Sequence, residues 1–77
     1  MNVIVYSKTK GFCGPCFATK RALTDAGIEF EILALEEQPA EVIEDLKTRV
    51  GMQAPIVITD TAAWSGFRPD LIDALTA

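Results

Sequence analysis

The 77-residue sequence has no histidine, only two cysteines, and fewer basic than acidic residues. With no histidine and no further thiol, the two cysteines can hardly form half of a tetrahedral zinc site, unless acidic residues or a second subunit complete it. The net charge of −4 argues against nucleic-acid binding, which usually needs a basic surface. No apolar run approaches the ~20 residues of a membrane span. We therefore expect no bound metal, no nucleic-acid partner and no membrane anchor.

The length predicts a single domain covering residues 1–77, and the 49% content of hydrophobic residues is enough for a packed core. A secretory signal is not indicated, because the apolar start Met1–Tyr6 has no charged segment before it and no cleavage site after it. The sequence therefore predicts a cytoplasmic protein, which we expect to be a monomer. In that compartment a disulfide is more often catalytic than structural.

Hydrophobic patterning and turn residues predict four strands and three helices in the order βαβ followed by αββα. The β-branched run Val3–Tyr6 has the composition of a strand buried on both faces, and a helical crossover makes the next strand parallel to it. The remaining elements are a helix that begins at the cysteine motif, with Pro15 in its first turn, and ends at a left-handed terminator at Gly27, a strand of Phe30, Ile32 and Leu33–Leu35, a helix from near Pro39 with Gly51 as its stop, strands Ile56–Ile58 and around Ala62–Trp64, and a helix after Pro69.

Each predicted helix has one apolar face that we expect to be buried. The predicted buried residues are Cys16, Thr19, Ala22, Leu23 and Ala26 in the first helix, Val42, Ile43, Leu46 and Val50 in the second, and Leu71, Ile72 and Leu75 in the third.

Both cysteines lie in the segment Cys13-Gly14-Pro15-Cys16, between the first strand and the first helix. A structural staple across so short a loop restricts the unfolded chain very little, and inert core thiols are not expected at such a junction. Two thiols at this spacing can instead close and reopen a disulfide. A strand–helix–strand unit with this motif is the pattern of a thioredoxin-like redox domain, and the small size favours the glutaredoxin type. The predicted fold class is therefore α/β, thioredoxin-like, with a four-stranded mixed sheet.

The two thiols are expected to have different roles. Cys13 lies at the predicted helix N-terminus, where free N–H groups and the helix dipole favour a thiolate, so we expect it to be the nucleophile. Cys16 lies inside the first turn and should be the more buried, resolving thiol. Lys8 and Lys10 either stabilise the Cys13 thiolate or are solvated loop charges. The first strand contains no acid that could accept a proton from Cys16, so the general base stays open.

The run Trp64-Ser65-Gly66-Phe67-Arg68-Pro69-Asp70 resembles the C-terminal signature of the NrdH-redoxin family. The resemblance extends over nearly the whole chain and includes Tyr6, Ala18-Thr19-Lys20 and Ala54-Pro55-Ile56-Val57. It implies a dithiol–disulfide oxidoreductase that donates electrons to class Ib ribonucleotide reductase. It also implies reduction by thioredoxin reductase with electrons from NADPH, and no cofactor bound to the chain itself.

The resemblance also implies roles for individual residues. Cys13 and Cys16 match the redox-active pair, and Pro55 matches a cis proline that packs opposite the disulfide and presents backbone to a substrate strand. The Trp64–Asp70 run matches the segment that replaces the glutathione-binding residues of glutaredoxins. The residues expected to bind substrate or partner are Gly14, Pro15, Ala54, Pro55, Trp64, Ser65, Gly66, Phe67 and Arg68. We expect Trp64 and Phe67 to pack rather than to form a free patch, and Arg68 to hold the loop.

Two departures from the family pattern concern the motif. Gly14-Pro15 stands where family members commonly have Val-Gln, and the segment between Tyr6 and Cys13 is about two residues longer than usual.

Two alternative functions stay open. A glutathione-dependent glutaredoxin would share the fold, but the aromatic residue expected at Pro15 and a Gly-Gly/Asp-Asp type of pattern after the third strand are missing. A non-catalytic binding module with the same fold is the other alternative.

Overall fold

The computed structural model describes residues 2–76 and contains one four-stranded mixed sheet with three helices. The predicted order, βαβ followed by αββα, is confirmed; a short 3₁₀ helix after the second strand was not predicted. The elements are β1 (Ile4–Ser7), α1 (Gly14–Asp25), β2 (Glu31–Ala34), the 3₁₀ helix (Leu35–Glu37), α2 (Ala40–Arg49), β3 (Ile56–Ile58), β4 (Ala63–Ser65) and α3 (Pro69–Thr76).

The strand register brings four connections of the chain to one end of the sheet. The strand order is β2-β1-β3-β4, with β1 parallel to β2 and antiparallel to β3. Ser7 pairs with Ala34, while Tyr6 pairs with Ile56 and Ile56 pairs with Ser65. The segments that follow β1, β2 and β4 and the segment that precedes β3 therefore meet at this end, which we call the loop end.

The two faces of the sheet are buried to different degrees. On one face, Val5 of β1 packs in a cluster that includes residues of α1 and α3, and these two helices also contact each other. On the other face, Ile4 and Tyr6 are only half-buried. The expectation that β1 is buried on both faces was therefore too strong. The buried cluster consists of Val3, Val5, Leu23, Val57, Trp64 and Ile72.

The ends of α1 explain one success and one error of the sequence analysis. Gly27 has φ +74°, a left-handed conformation that favours glycine, so the predicted terminator is confirmed. The last helical residue is Asp25, and Ala26 follows it as an exposed cap. Ala26 is therefore not on the buried face, where the periodicity had placed it.

Gly51 follows α2 for a different reason from the one expected. Its φ is not positive, since the glycines with positive φ in residues 2–76 are Gly11, Gly27 and Gly66. A β-carbon at Gly51 would lie 2.8 Å from Cβ of Ser65, closer than real Cβ contacts. The helix stops near the predicted position, but the glycine is required by close packing against β4. None of the helices within residues 2–76 is long and apolar enough to cross a membrane.

Candidate active site

The cysteine motif lies where the chain turns from the loop after β1 into α1. Cys13 is the N-cap of α1, in an extended conformation, and the helix begins at Gly14 with Pro15 in its first turn, as predicted. A proline is favourable in the first turn because its missing N–H would have no helical partner there. The helical turn brings the Cα atoms of Cys13 and Cys16 to 5.3 Å, and the two residues form a disulfide.

The two sulfur atoms have different surroundings. Cys16 is 1% exposed, whereas Cys13 is partly accessible to solvent. The backbone N–H of Cys16 donates to Sγ of Cys13 at 3.3 Å, and the carbonyl of Cys13 accepts the first helical bond, from the N–H of Phe17. A donor directed at Cys13 at the positive end of the helix dipole favours negative charge on that sulfur. This geometry fits a nucleophilic Cys13 above a buried Cys16.

Pro55 lies at the loop end directly before β3. The Ala54–Pro55 peptide bond is cis, as the resemblance implies, and Pro55 is buried. Since Tyr6 pairs with Ile56, extending the register by one residue places Pro55 beside Ser7, where the chain leaves β1 toward the cysteines. The carbonyl of Pro55 accepts a hydrogen bond of 2.8 Å from the N–H of Gly66. The segment before β3 is thus joined to the segment after β4.

Gly66 has φ +77°, so a tight turn in the left-handed region follows β4. A β-carbon at Gly66 would lie 2.8 Å from Oε1 of Gln53. The guanidinium of Arg68 donates two hydrogen bonds to the carboxylate of Asp70, at 3.2 and 3.0 Å. This pair lowers the pKa of Asp70, chiefly through the Arg68 hydrogen bonds.

The two aromatic residues of this run have different positions. Trp64 is 3% exposed and belongs to the buried cluster, so its side chain supports the loop from inside and offers no surface to a partner. Phe67 is 40% exposed, which corrects the expectation that both rings pack. Strand alternation explains the burial of Trp64, since the central residue of β4 faces the helices α1 and α3. Phe67 follows the turn at Gly66, where that alternation no longer applies.

The loop between β1 and the motif is tied to the 3₁₀ helix. Glu36 accepts hydrogen bonds from the N–H of Thr9, at 3.0 and 3.2 Å from its two oxygens, and from the Thr9 hydroxyl. These bonds, first the hydroxyl and then the N–H, lower the pKa of Glu36, and Lys10 adds to the effect. Lys8 and Lys10 are exposed to solvent. The positive charge of Lys10 interacts with the carboxylate of Glu36.

Within residues 2–76, four large apolar side chains that belong to the segments at the loop end are exposed, and we call them the apolar rim. Phe12 precedes the nucleophile and is 89% exposed, and its ring passes over Gly14, whose β-carbon would lie 3.6 Å from it. Sequence analysis singled out Phe67 but missed the other three side chains, although Phe12 and Phe17 directly flank the cysteines and could have been noticed there. The rim consists of Phe12, Phe17, Met52 and Phe67.

Comparisons with known proteins agree with this architecture. The glutaredoxin family model matches residues 3–63. The glutaredoxin-like protein NrdH of Escherichia coli K12 is 40% identical over 75 residues, which cover 97% of this chain and 89% of that protein. The solved structure of E. coli NrdH-redoxin superposes with a TM-score of 0.84 at 39% identity, covering 97% of this chain and 95% of that one. The chain belongs to the NrdH-redoxin family.

The chain is also similar to a phage protein. The gene 56 protein of Mycobacterium phage L5 is 38% identical over 76 residues, covering 95% of this chain and 70% of that protein. As an NrdH-redoxin with a thioredoxin-like fold and a C-x-x-C disulfide, the protein is a dithiol–disulfide oxidoreductase. The predicted family, fold class and reaction class are therefore confirmed.

Proposed function

We propose that this NrdH-redoxin carries electrons from thioredoxin reductase to class Ib ribonucleotide reductase, with NADPH as the source and with no cofactor of its own. The observation that carries the proposal is the disulfide itself, which has one accessible and one buried sulfur and lies between the exposed residues Phe12 and Phe17 of the chain. The cytoplasm, where thiols are kept reduced, is the compartment that suits this cycle.

In the proposed reaction Cys13 attacks a disulfide of the target and forms a mixed disulfide, which releases one target thiolate. Cys16 then attacks the sulfur of Cys13 as a thiolate. This step forms the Cys13–Cys16 disulfide and releases the second target thiolate. Two electrons and two protons pass from the protein dithiol to the target dithiol. The partial exposure of Cys13 and the deep burial of Cys16 support these roles.

The rim favours a protein partner over a small charged thiol. Exposed aromatic and methionine side chains are enriched in protein interfaces, because their large apolar area becomes desolvated on contact. Phe12 and Phe17 flank the disulfide, and Gly14-Pro15 between the thiols offers little side-chain bulk. A partner with an apolar segment beside its own disulfide can therefore approach the sulfur of Cys13 closely. Ala54 and Pro55 add backbone at the same end of the sheet.

Charge pairing at the loop end argues against glutathione as the main reductant. Glutathione carries two carboxylates, which bind best to cations that have no other partner. The guanidinium of Arg68 is already bound to Asp70, and Lys10 lies beside Glu36. Both basic groups are therefore less available to an anionic tripeptide. The solved E. coli NrdH-redoxin is described as having a thioredoxin-like activity profile. This similarity supports thioredoxin reductase, and not glutathione, as the reductant of the present chain.

Two coupled assays with one shared disulfide substrate test the reductant. We expect rapid NADPH oxidation in the presence of thioredoxin reductase and little in the presence of glutathione and glutathione reductase. Cys13→Ser is the inactive control in both. Efficient turnover with glutathione alone would instead assign a glutathione-dependent glutaredoxin.

A third assay tests the electron acceptor. With thioredoxin reductase and NADPH present, the protein should support deoxyribonucleotide formation by a class Ib ribonucleotide reductase. The Cys16→Ser variant should not, because its mixed disulfide is not resolved within the protein. If the reduced protein did not support turnover of the ribonucleotide reductase but still reduced the model substrate, the electron acceptor would be a different protein disulfide.

A further inference from the structure

The hydroxyl of Thr19 is fully buried and has no hydrogen-bond partner among residues 2–76. A threonine inside a helix commonly donates to the carbonyl four residues earlier. Thr24 of the same helix does so, with its hydroxyl 2.9 Å from the carbonyl oxygen of Lys20. Thr19 does not make the equivalent bond to Pro15. An unpaired buried hydroxyl is unfavourable, which points to a second state of the protein in which this hydroxyl is paired.

Helix geometry places Thr19 one turn from the buried sulfur of the disulfide. Residues three apart in a helix are neighbours on its surface, with Cβ atoms about 5–6 Å apart. Cys16, Thr19 and Leu23 are the buried residues of α1, so the first two share its inner face. A helical side chain covers the turn that precedes its own Cα, which for Thr19 is the turn containing Cys16.

We propose that the Thr19 hydroxyl donates a hydrogen bond to Sγ of Cys16 when the disulfide is open. Sγ of Cys16 is bonded to Cys13 in the oxidised protein, where it is neutral and a weak acceptor, and Thr19 makes no bond to it. Reduction by a partner dithiol adds two electrons and two protons to the disulfide and breaks the S–S bond, which leaves this sulfur free to rotate and, after loss of its proton, to carry negative charge. A thiolate is a much stronger acceptor, and charge-assisted bonds are about twice as strong as neutral ones.

The bond acts on two properties of the redox pair. It stabilises the dithiol form relative to the disulfide, which makes the protein a less strongly reducing dithiol than it would be without the hydroxyl. It also favours the Cys16 thiolate in an interior that otherwise disfavours charge, and the thiolate is the form that attacks the mixed disulfide. The hydroxyl keeps its proton throughout. Thr19 thus tunes the resolving thiol and is not its base.

The test compares Thr19→Val, which keeps the side-chain shape without the hydroxyl, with Thr19→Ser, which keeps the hydroxyl. Thr24→Val is the matched control on the exposed face of the same helix. The midpoint potential is measured in dithiothreitol buffers, so neither reductase nor glutathione is needed. We expect Thr19→Val to favour the disulfide about tenfold more than wild type, a shift of about 30 mV to more negative potential. Thr19→Ser and Thr24→Val should stay near the wild-type value.

Thermal unfolding of both redox states provides a second readout that a packing role would not produce. The oxidised Thr19→Val protein should be at least as stable as wild type, because an unpaired hydroxyl has been removed, whereas the reduced form should be less stable. Equal changes in both states, an unchanged potential, or a Thr19→Ser protein that behaves like Thr19→Val would overturn the proposal. If Thr19→Val does not fold, Thr19→Ala must shift the potential in the same direction.

The inference rests on the proposed role of Cys16 only for the resolution step. There, Thr19→Val should lengthen the lifetime of the mixed disulfide formed by Cys13. A shifted potential with an unchanged lifetime would keep the hydrogen bond and reject its effect on the attack by Cys16, whereas a Cys16→Ser protein that traps no mixed disulfide would reject Cys16 as the resolving thiol. A failure of the proposed hydrogen bond can therefore be distinguished from a failure of the proposed function.

Discussion

A single added carbon at Gly51 should destabilise the protein and disturb the segment that follows β4. In Gly51→Ala the new β-carbon would meet the side chain of Ser65, with 2.8 Å between the two β-carbons. Ser65 is the last residue of β4, paired with Ile56, so its hydroxyl can rotate but its β-carbon is held by the strand backbone and cannot move aside. The backbone of one or both segments must shift to relieve the overlap.

The size of the effect follows from the kind of overlap. Overpacking a filled site usually costs about 1–3 kcal/mol. Total stability at 0.05–0.15 kcal/mol per residue is roughly 4–12 kcal/mol for a chain of this length. A loss of about 2 kcal/mol would lower the melting temperature by about 8–16 °C in so small a domain. The same shift moves the turn at Gly66, whose N–H holds Pro55, so KM for thioredoxin reductase should rise.

Urea unfolding of a double-mutant cycle isolates the contact. Ser65→Gly alone should cost about 0.5–1 kcal/mol, because glycine is unfavourable in a strand. In that background Gly51→Ala should cost at least 1 kcal/mol less than in wild type, since the overlap is gone. Ser65→Ala keeps the β-carbon and should give only partial relief. If Gly51→Ala were equally destabilising in all three backgrounds, the close approach of α2 to β4 would not be the cause.

Three further predictions concern the site itself. Cys13→Ser should abolish disulfide reduction, whereas Cys16→Ser should accumulate a mixed disulfide visible by mass spectrometry; the reverse pattern would exchange their roles. The folded-state pKa of Glu36 lies below its ordinary value of 4.5, so its stabilising contribution is present above that value and is lost as pH falls through the lowered pKa. The difference in melting temperature between wild type and Glu36→Gln should therefore vanish in acid, and a constant difference would contradict the Thr9 contact. Arg68→Ala should remain folded, because exposed ion pairs contribute little, yet should lose turnover with thioredoxin reductase relative to glutathione; unchanged activity with both would leave the Arg68–Asp70 pair a structural role only.

Local sequence signals were sufficient for most of the fold. The β-branched run Ile56–Ile58 is observed as β3 with the predicted bounds, because a short apolar run between turn residues has few alternatives. The left-handed conformation of Gly27 was likewise predictable from its position just after the helical pattern. The cis bond before Pro55 came from the family resemblance, since only about 5–6% of X–Pro bonds in folded proteins are cis.

The features that were missed depend on contacts between distant parts of the chain. The packing of Gly51 on Ser65, and the bond between Thr9 and Glu36, join segments whose proximity follows only from the sheet register. Thr19 was placed correctly on the buried face of α1, but its lack of a partner is visible only when the surrounding atoms are known. Local signals therefore identified the two thiols and the family resemblance supplied Pro55 and the turn at Gly66, whereas the contacts between the loops could not be predicted.

The pairing of β1 with β3 has a consequence for how selectivity arises. The motif belongs to the first βαβ unit, whereas Pro55 and the turn at Gly66 join it only when Ile4 pairs with Ile58, far along the chain. Such a non-local pairing requires the closure of a long loop, which a local helix does not. The four-residue motif alone therefore lacks the surface that Pro55 and the turn at Gly66 add to the site. We expect discrimination among disulfides to depend on the completed sheet.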